Sequence, residues 1–174
     1  HAFFHALNNF CSVDLRAVYL DILKDRLYTF HLDAHERRSS QPVLYDILVA
    51  MTKLMAPILS FTAEEIWRTL SAQILGSVPT KSVHLAPFPE VDSTWADVKL
   101  IKLWERLLGL RIQVQGALEE KRREKVIGSS LEAHVHLKMN AGMRQLITDS
   151  PSELATLFIV SKVSLEYVDT ETLI

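Results

Sequence analysis

The fold of this 174-residue chain is decided by Val13–Phe30, which reads VDLRAVYLDILKDRLYTF. At 100° of rotation per residue, its apolar side chains fall on one stripe with the i, i+3, i+4, i+7 spacing of an amphipathic helix. Lys24, Tyr28 and Asp21 point away from this stripe, towards solvent or a partner. We therefore expect one long helix against which the rest of the chain packs. The stripe consists of Leu15, Val18, Tyr19, Ile22, Leu23, Leu27 and Phe30.

Arg26 falls near the middle of the same apolar stripe. A buried guanidinium without a partner is costly, so it needs a carboxylate from a neighbouring helix or an anionic ligand at the open end of the stripe. Asp46, Glu64 and Glu65 lie on segments that must pack nearby. We predict a structural ion pair for Arg26, because its neighbours on the stripe are apolar.

Capping residues and a proline indicate where the first helices begin. Ala2–Phe10 has the pattern of a helix tail, after which Ser12 and Asp14 can cap the helix described above. A polar loop, HLDAHERRSS, follows that helix. Ser39 or Ser40 is then predicted to cap a second helix that carries Pro42 in its first turn, where proline is tolerated.

The segment FTAEEIW predicts the start of a third helix. Thr62 and Glu65 have the spacing of a capping box, and Phe61 and Ile66 have the spacing of a hydrophobic staple. We expect this helix to stop near Gly76, because glycine is the favoured residue just past a helix end.

Thr94 and Asp97 are predicted to open a long helix that runs to about Lys125. Its apolar residues follow the 4-3 spacing of a helix that packs along a bundle. Arg111 occupies the seam between two of them, so it is a second arginine on an apolar stripe. The apolar residues are Leu100, Trp104, Leu107, Val114 and Leu118.

The pattern changes over residues 131–139, LEAHVHLKM, where strict alternation predicts a β-strand with one buried face. A second strand is predicted over 158–168, with short helices over 142–149 and from Ser150 onward. A strand, a helical crossover and a strand favour parallel pairing. Two strands make a poor sheet, so we expect further strands in a longer parent protein.

The sequence thus predicts a mainly α fold, with a helical bundle over residues 1–126 and a small, truncated α/β module over 127–174. Hydrophobic content of 48% and charged content of 23% are typical of a soluble globular protein. No apolar run reaches the roughly 20 residues that span a bilayer, and we do not expect the first residues to be a signal peptide. Because the chain starts at His1 inside a patterned segment, we expect it to be a fragment.

No pattern in the sequence predicts a catalytic or metal site. The 5 glycines are not clustered into a phosphate-binding loop, and HExxH does not occur. The single cysteine, Cys11, excludes an internal disulfide and a cysteine-rich zinc site. His134 and His136 form an H-x-H pair, but no further ligands are near in sequence, so we interpret them as solvent-facing strand residues.

The net charge is −2, so any surface for nucleic acid must be local. Basic residues do cluster near three helix ends, as on surfaces that track an RNA backbone. Each cluster also has a structural alternative: an ion pair at Arg26, a solvated loop at Arg37 and Arg38, or a self-paired helix face such as Glu119 with Arg123. The candidate RNA-binding residues are Lys24, Arg26, Tyr28, Arg37, Arg38, Arg111, Lys121, Arg122, Arg123 and Lys125.

Five segments, in this order, closely resemble the C-terminal part of bacterial isoleucyl-tRNA synthetases, which are class Ia aminoacyl-tRNA synthetases. The pattern in LMAPI-x-x-FTAEEIW is shared with the valyl and leucyl relatives, whereas KDRLY and EKVIG-x-SLEA are more specific to the isoleucine enzyme. The segments are NNFCSVDLRAVYLDILKDRLY, RRSSQPVLYDIL, LMAPILSFTAEEIW, EEKRREKVIGSSLEA and LATLFIVSKVSL.

The resemblance implies a helical anticodon-binding domain followed by a small α/β junction module. The parent protein would be a cytoplasmic, monomeric ligase of protein biosynthesis that attaches isoleucine to tRNA(Ile) with ATP and Mg, and with Zn in members that carry a zinc finger. The HIGH and KMSKS signatures are absent here. This chain should therefore have no catalytic residues and no cofactor, and should bind the anticodon stem-loop beside the catalytic domain of the same parent chain.

Two alternatives stay open. The chain could be the anticodon domain of a related valyl or leucyl enzyme, against which KDRLY and VIGSSLEA argue. It could also be a helical scaffold that binds protein rather than RNA, with its arginines paired internally. For the two arginines on apolar stripes, we predict a structural role for Arg26 and an RNA contact for Arg111, because the basic run from Lys121 continues the same helix.

Overall fold

The computed structural model describes residues 2–73, 80–139 and 151–168. The chain divides between Ser93 and Thr94 into two compact units. The first is helical, and the second joins a long helix to a small α/β module, so the predicted mainly α fold is confirmed. The elements are α1 (Ala2–Asn9), a π-helical stretch (Phe10–Leu20), α2 (Asp21–Tyr28), α3 (His35–Met55), α4 (Ser60–Gln73), α5 (Val98–Arg123), β1 (His134–Met139), α6 (Pro151–Phe158) and β2 (Lys162–Tyr167).

The first helix runs without a break from α1 through the π-helical stretch into α2, so the predicted helix start at Ser12 or Asp14 is wrong. The Ser12 hydroxyl instead donates to the Asn8 carbonyl, as serine does inside a helix. The predicted apolar stripe does face inward, because Leu23 is buried and most other members are half-buried. Phe30 lies past the helix end and is exposed.

α3 begins at His35, so the predicted caps at Ser39 and Ser40 are wrong. Both serine hydroxyls donate to the Glu36 carbonyl, at 3.2 and 2.7 Å, and so lie within the helix. Pro42 is consequently inside α3 rather than in its first turn. Since proline has no N–H, the carbonyl four residues earlier lacks the usual helical donor.

α3 ends at Met55, two residues before Pro57, and α4 begins at Ser60. The predicted hydrophobic staple is wrong, because Phe61 is 94% exposed. The predicted capping box is wrong as well: the turn before α4 already hydrogen-bonds into the helix, so Thr62 lies inside it rather than at its cap.

The core of the first unit lies between α3, α4 and a 3₁₀ turn at Val83–Leu85. Trp67 is fully buried there, and its indole Nε1 donates to the Thr80 carbonyl at 2.9 Å. A ring of this size buries a large apolar area, and its polar edge is satisfied by the same segment that covers it. The residues around it are Val49, Ala56, Ala63, Val83 and Ala86.

Glu64 holds the same 3₁₀ turn to α4. Its Oε2 accepts from Ser82 Oγ at 2.8 Å and from the Val83 N–H at 3.2 Å, and its Oε1 accepts from Arg68 Nε at 3.1 Å. These donors, Ser82 first, hold the pKa of the Glu64 carboxyl below its usual value, although desolvation opposes the shift.

α5 in the second unit starts close to its predicted position. Asp97 is the capping residue, and its Oδ1 accepts from the N–H groups of Lys99 and Leu100 at 2.8 and 3.1 Å. Thr94 does not share this role, because it lies in a separate 3₁₀ turn at Ser93–Trp95.

The C-terminal end of α5 is closed by a left-handed residue that is not glycine. Lys125 has φ of 60°, and its N–H donates to the Arg122 carbonyl at 3.0 Å. The Val126 N–H donates to the Lys121 carbonyl at 3.0 Å, which completes a Schellman motif. A side chain at this φ costs energy that glycine would not.

β1 and β2 pair in parallel, as predicted, with Val135 opposite Val163 and Lys138 opposite Glu166. Burial alternates along β1, and Met139 is fully buried. Within the described ranges the sheet has these two strands, and α6 packs on β2. Both strands begin later than the sequence predicts. A 3₁₀ turn at Ser130–Glu132 precedes β1, and the predicted start of the second strand, Phe158, is the last residue of α6.

α5 packs with the α/β segment, since it contacts α6 and its Val114 and Leu118 are buried. The division between compact units therefore precedes α5, at Ser93. The domain boundary after residue 126, which rests on the change of sequence pattern, stays a prediction.

Several predictions lie outside the described residues. They are the helix stop near Gly76, the short helix over 142–149 and the cap at Ser150. In the ranges that are described, no helix combines the length and the apolar character that crossing a membrane requires.

Replacing Lys125 with glycine should raise the free energy of unfolding by about 1 kcal/mol, because glycine adopts a positive φ without a Cβ clash. Glu120→Gly, at an exposed position inside α5, is the matched control and should lower the free energy of unfolding by about 1 kcal/mol. Urea denaturation measures both. A Lys125→Gly variant that unfolds at a lower urea concentration than the parent would contradict the left-handed conformation of Lys125.

Glu64→Gln should lower the melting temperature at neutral pH. Because the folded-state pKa of Glu64 lies below its usual 4.5, the carboxylate stabilises the fold above about pH 4.5 and loses this effect as pH falls through the lowered pKa. The difference in melting temperature between parent and variant should therefore shrink in acid. Glu65→Gln, at an exposed neighbouring position, is the control. A difference in melting temperature that does not change with pH would show that the charge of Glu64 does not stabilise the fold.

Candidate nucleic-acid interface

A groove of about 660 Å³ runs along the first helix, from the π-helical stretch into α2. Residues four apart lie on one side of a helix, so this groove is lined by a single row of side chains with others beside it. The row combines a hydroxyl, two cations, an aliphatic side chain and an aromatic ring. Its members are Ser12, Arg16, Leu20, Lys24 and Tyr28.

The charges in the groove are partly compensated. Lys24 Nζ lies 2.6 Å from Asp21 Oδ1, an exposed i, i+3 ion pair. Arg16 is exposed, and no carboxylate among the described residues forms an ion pair with it. The groove therefore has one more positive than negative charge and is suited to an anion.

Tyr28 is the last residue of α2, and it is 83% exposed. The backbone behind it is well anchored: Thr29 Oγ1 donates to the Asp25 carbonyl at 2.7 Å, and the Phe30 N–H donates to the same oxygen at 3.3 Å. The ring is therefore presented to solvent from a fixed helix end.

Arg26 is half-buried on the apolar side of the helix. The predicted ion pair is wrong for the part of the chain that the structure describes, because neither Asp46 nor Glu64 nor Glu65 pairs with it, and Glu64 binds Arg68 instead. Burial raises the pKa of the nearby Tyr19 hydroxyl, and the charge of Arg26 opposes that shift.

Arg37 and Arg38 lie in the first turn of α3, not in a solvated loop. Arg37 is half-buried, and its Nη1 donates to the Phe30 carbonyl at 3.3 Å, so it anchors the connection between α2 and α3. Its Nε is buried without a hydrogen-bond partner among the described atoms. The Arg38 side chain is exposed.

Arg111 is 3% exposed, which argues against the predicted RNA contact. The Gln115 amide oxygen, in the orientation that its hydrogen bonds require, lies 3.2 Å from both Nε and Nη2 of Arg111. Val114 and Leu118 are buried on the same helix. Arg111 is thus a structural residue of α5.

The basic run at the end of α5 separates into paired and exposed cations. Lys121 Nζ lies 2.7 Å from Glu124 Oε2, and this hydrogen bond raises the pKa of the Lys121 ammonium. Arg122 pairs with Glu119 and donates to Ser130 Oγ at 3.0 Å. The helix face is thus self-paired through Arg122, rather than through Arg123.

Arg123 and Lys125 are both exposed, and neither forms an ion pair with a carboxylate that the structure describes. Exposed cations without an ion pair can bind a ligand without first breaking an existing contact. They are the best candidates for phosphate contacts in the second unit.

His134 and His136 face outward from β1, as predicted, and their ring centroids are 4.1 Å apart. His134 Nε2 lies 2.6 Å from Ser164 Oγ. Desolvation, then the charges of His136 and Lys162, lower the pKa of His134. In the described ranges no three His, Cys, Asp or Glu side chains group closely enough to hold a metal ion.

Arg16 was missed by the sequence reasoning, which treated Lys24 and Tyr28 as the charged and aromatic face of the helix. The signal was present as the four-residue spacing from Ser12 to Tyr28. The basic clusters considered from the sequence lie near helix ends, whereas Arg16 lies in the middle of the first helix.

Arg111→Ala should lower the free energy of unfolding by about 2 kcal/mol, through lost packing of the buried stem and lost hydrogen bonds. Arg26→Ala, the matched control, should cost less than about 1 kcal/mol, because no described carboxylate is left unpaired. Chemical denaturation of both variants measures the difference. A larger loss for Arg26→Ala would reverse the two roles.

Over residues 1–137 the chain matches the family described as the anticodon-binding domain of tRNA ligase. It is also similar to the isoleucine–tRNA ligases of Geobacter sulfurreducens (45% identical over 168 residues), Moorella thermoacetica (46% over 165) and Symbiobacterium thermophilum (46% over 168). Each alignment covers 95% of this chain, whereas the chain spans only 17% to 18% of the length of these relatives. The resemblance seen in the five sequence segments is thereby confirmed, and the chain belongs to the family of anticodon-binding domains of tRNA ligases.

Proposed function

We propose that this chain is the anticodon-binding region of an isoleucine–tRNA ligase and that it binds the anticodon stem-loop of tRNA(Ile). The observation that carries the proposal is the similarity to isoleucine–tRNA ligases, at 45% identity across 95% of the chain. Membership of the anticodon-binding family supports the same conclusion.

The chemical steps then belong to parts of the longer enzyme outside this chain. Attachment of isoleucine to tRNA would use ATP with Mg, and Zn in members with a zinc finger, at sites that these 174 residues do not provide. We further propose that the full-length enzyme acts as a monomer in the cytoplasm. The role of this region is to select the tRNA, not to transform it.

Exposed cations supply the electrostatic part of RNA binding in this proposal. Lys24 and Arg38 contribute it in the first unit, and Arg123 and Lys125 in the second. Neutralising phosphates releases counterions, so binding should weaken steeply with salt. Arg111 and Arg37 hold the structure together instead, because their side chains are engaged within it.

The proposal is tested by titrating the chain with tRNA(Ile) transcripts, with the same transcripts carrying an altered anticodon, and with tRNA(Val) and tRNA(Leu) transcripts. We expect tighter binding of the natural anticodon. Equal affinity for both would overturn anticodon recognition, and tighter binding of tRNA(Val) or tRNA(Leu) would reassign the chain to a relative.

Arg123→Ala and Lys125→Ala should each weaken tRNA binding and lower the salt slope, d log K/d log[salt], by about one unit. Melting should change little, because both side chains are exposed. Lys138→Ala is the matched control: it removes one exposed positive charge from the same unit, but that charge is paired with Glu166 at 3.6 Å. A salt slope that falls equally for all three variants would show a net-charge effect without a defined surface.

A further inference from the structure

The groove on the first helix places an exposed aromatic ring at one end of a row that also carries two cations. Building on the proposed function, we propose that this groove holds an unpaired nucleotide of RNA. Its base stacks on Tyr28, and the phosphates beside it contact Arg16 and Lys24. These three residues would thus form a subsite for single-stranded RNA.

The exposure of Tyr28 is the first observation in favour. A tyrosine ring that is 83% exposed leaves most of its apolar face in water. Thr29 and Phe30 fix the backbone directly after it by hydrogen bonds to the Asp25 carbonyl. Stacking of a base on this ring therefore requires little further ordering of the backbone. Such stacking accepts any base, because each base has a π-face.

The cations are the second observation. Arg16 and Lys24 are eight residues apart, at most about 12 Å along the helix axis, so they can contact neighbouring phosphates of one strand. Arg16 has no ion pair in the described part of the chain, and its planar guanidinium can bind a phosphate through two hydrogen bonds. Asp21 compensates part of the charge of Lys24, which leaves Arg16 as the stronger phosphate ligand.

The combination favours a single strand over a duplex. In a duplex the bases are stacked on one another and unavailable to a side chain, whereas splayed loop bases stack on aromatic residues. The groove volume of about 660 Å³ falls within the size range of small-ligand clefts. A groove that combines aliphatic side chains, two cations and an exposed ring suits a nucleotide.

The experiment uses the 174-residue chain and an RNA hairpin whose stem and seven-nucleotide loop match the anticodon arm of tRNA(Ile), with 2-aminopurine at one loop position at a time. Stacking on Tyr28 should quench 2-aminopurine fluorescence at one position. Tyr28→Ala should weaken hairpin binding by about tenfold and abolish the quenching, while Tyr28→Phe should bind within about twofold of the parent.

Two controls make the assignment specific. Phe61→Ala removes another exposed ring from the same unit, where Phe61 is 94% exposed, and should leave hairpin binding unchanged. A fully paired duplex of the same stem should bind more weakly than the hairpin and should not respond to Tyr28→Ala. Arg16→Ala should lower the salt slope for the hairpin, and Arg16→Lys should partly restore it.

A Tyr28→Ala chain that binds the hairpin like the parent, or quenching that survives in it, would overturn the subsite while leaving the proposed function intact. If Tyr28→Ala does not fold, the quenching in the parent and the salt slope of Arg16→Ala test the subsite instead. Absence of quenching at every loop position, or a salt slope equal to that of the parent, would also overturn the subsite. Failure of the parent to bind tRNA at all would refute the proposed function and the subsite together. Preferential binding of an acidic peptide over the hairpin would assign the groove to protein.

Discussion

The first unit depends on the burial of Trp67 between α3, α4 and the segment that follows α4. The ring is fully buried, and its only polar atom donates to the Thr80 carbonyl, so the segment that covers the ring also satisfies it. Burying an indole N–H without a partner would cost on the order of 1–3 kcal/mol. Glu64, one turn earlier on α4, binds Ser82 and Val83 and secures the same segment. The packing of α3 against α4 and the position of the segment after α4 therefore depend on each other.

A second constraint, the pairing of positive charges, decides which cations a ligand can use. Arg111 is buried with its guanidinium against the Gln115 amide, and Arg37 holds the chain between α2 and α3. Lys121 and Arg122 pair with glutamates of the same helix. Arg16, Arg38, Arg123 and Lys125 are exposed and form no ion pair with the carboxylates that the structure describes. Such exposed, unpaired cations are the stronger RNA ligands, because no existing contact is lost on binding, whereas Lys24 shares its charge with Asp21.

Serine side chains account for the helix starts that the sequence predicts wrongly. Ser12, Ser39 and Ser40 have the residue type of a cap, and each instead donates to a carbonyl three or four residues earlier inside a helix. Residue type allows both uses, and the choice depends on whether the preceding residues are helical. Asp97 was identified correctly, because the segment before it is not part of the helix that it caps.

The family, the mainly α class, the inward stripe of the first helix and the parallel pairing of the two strands can all be predicted from the sequence, since hydrophobic periodicity and motif order are local properties. The sequence also identified Lys24 and Tyr28 as one outward face. Three features became visible only in the folded chain: α5 packs with the α/β module, Arg111 is buried while Arg26 lacks a described carboxylate partner, and Arg16 lines one groove with Tyr28. The physical reason is that burial and ion pairing depend on which surfaces meet, and periodicity within one helix cannot specify its neighbour.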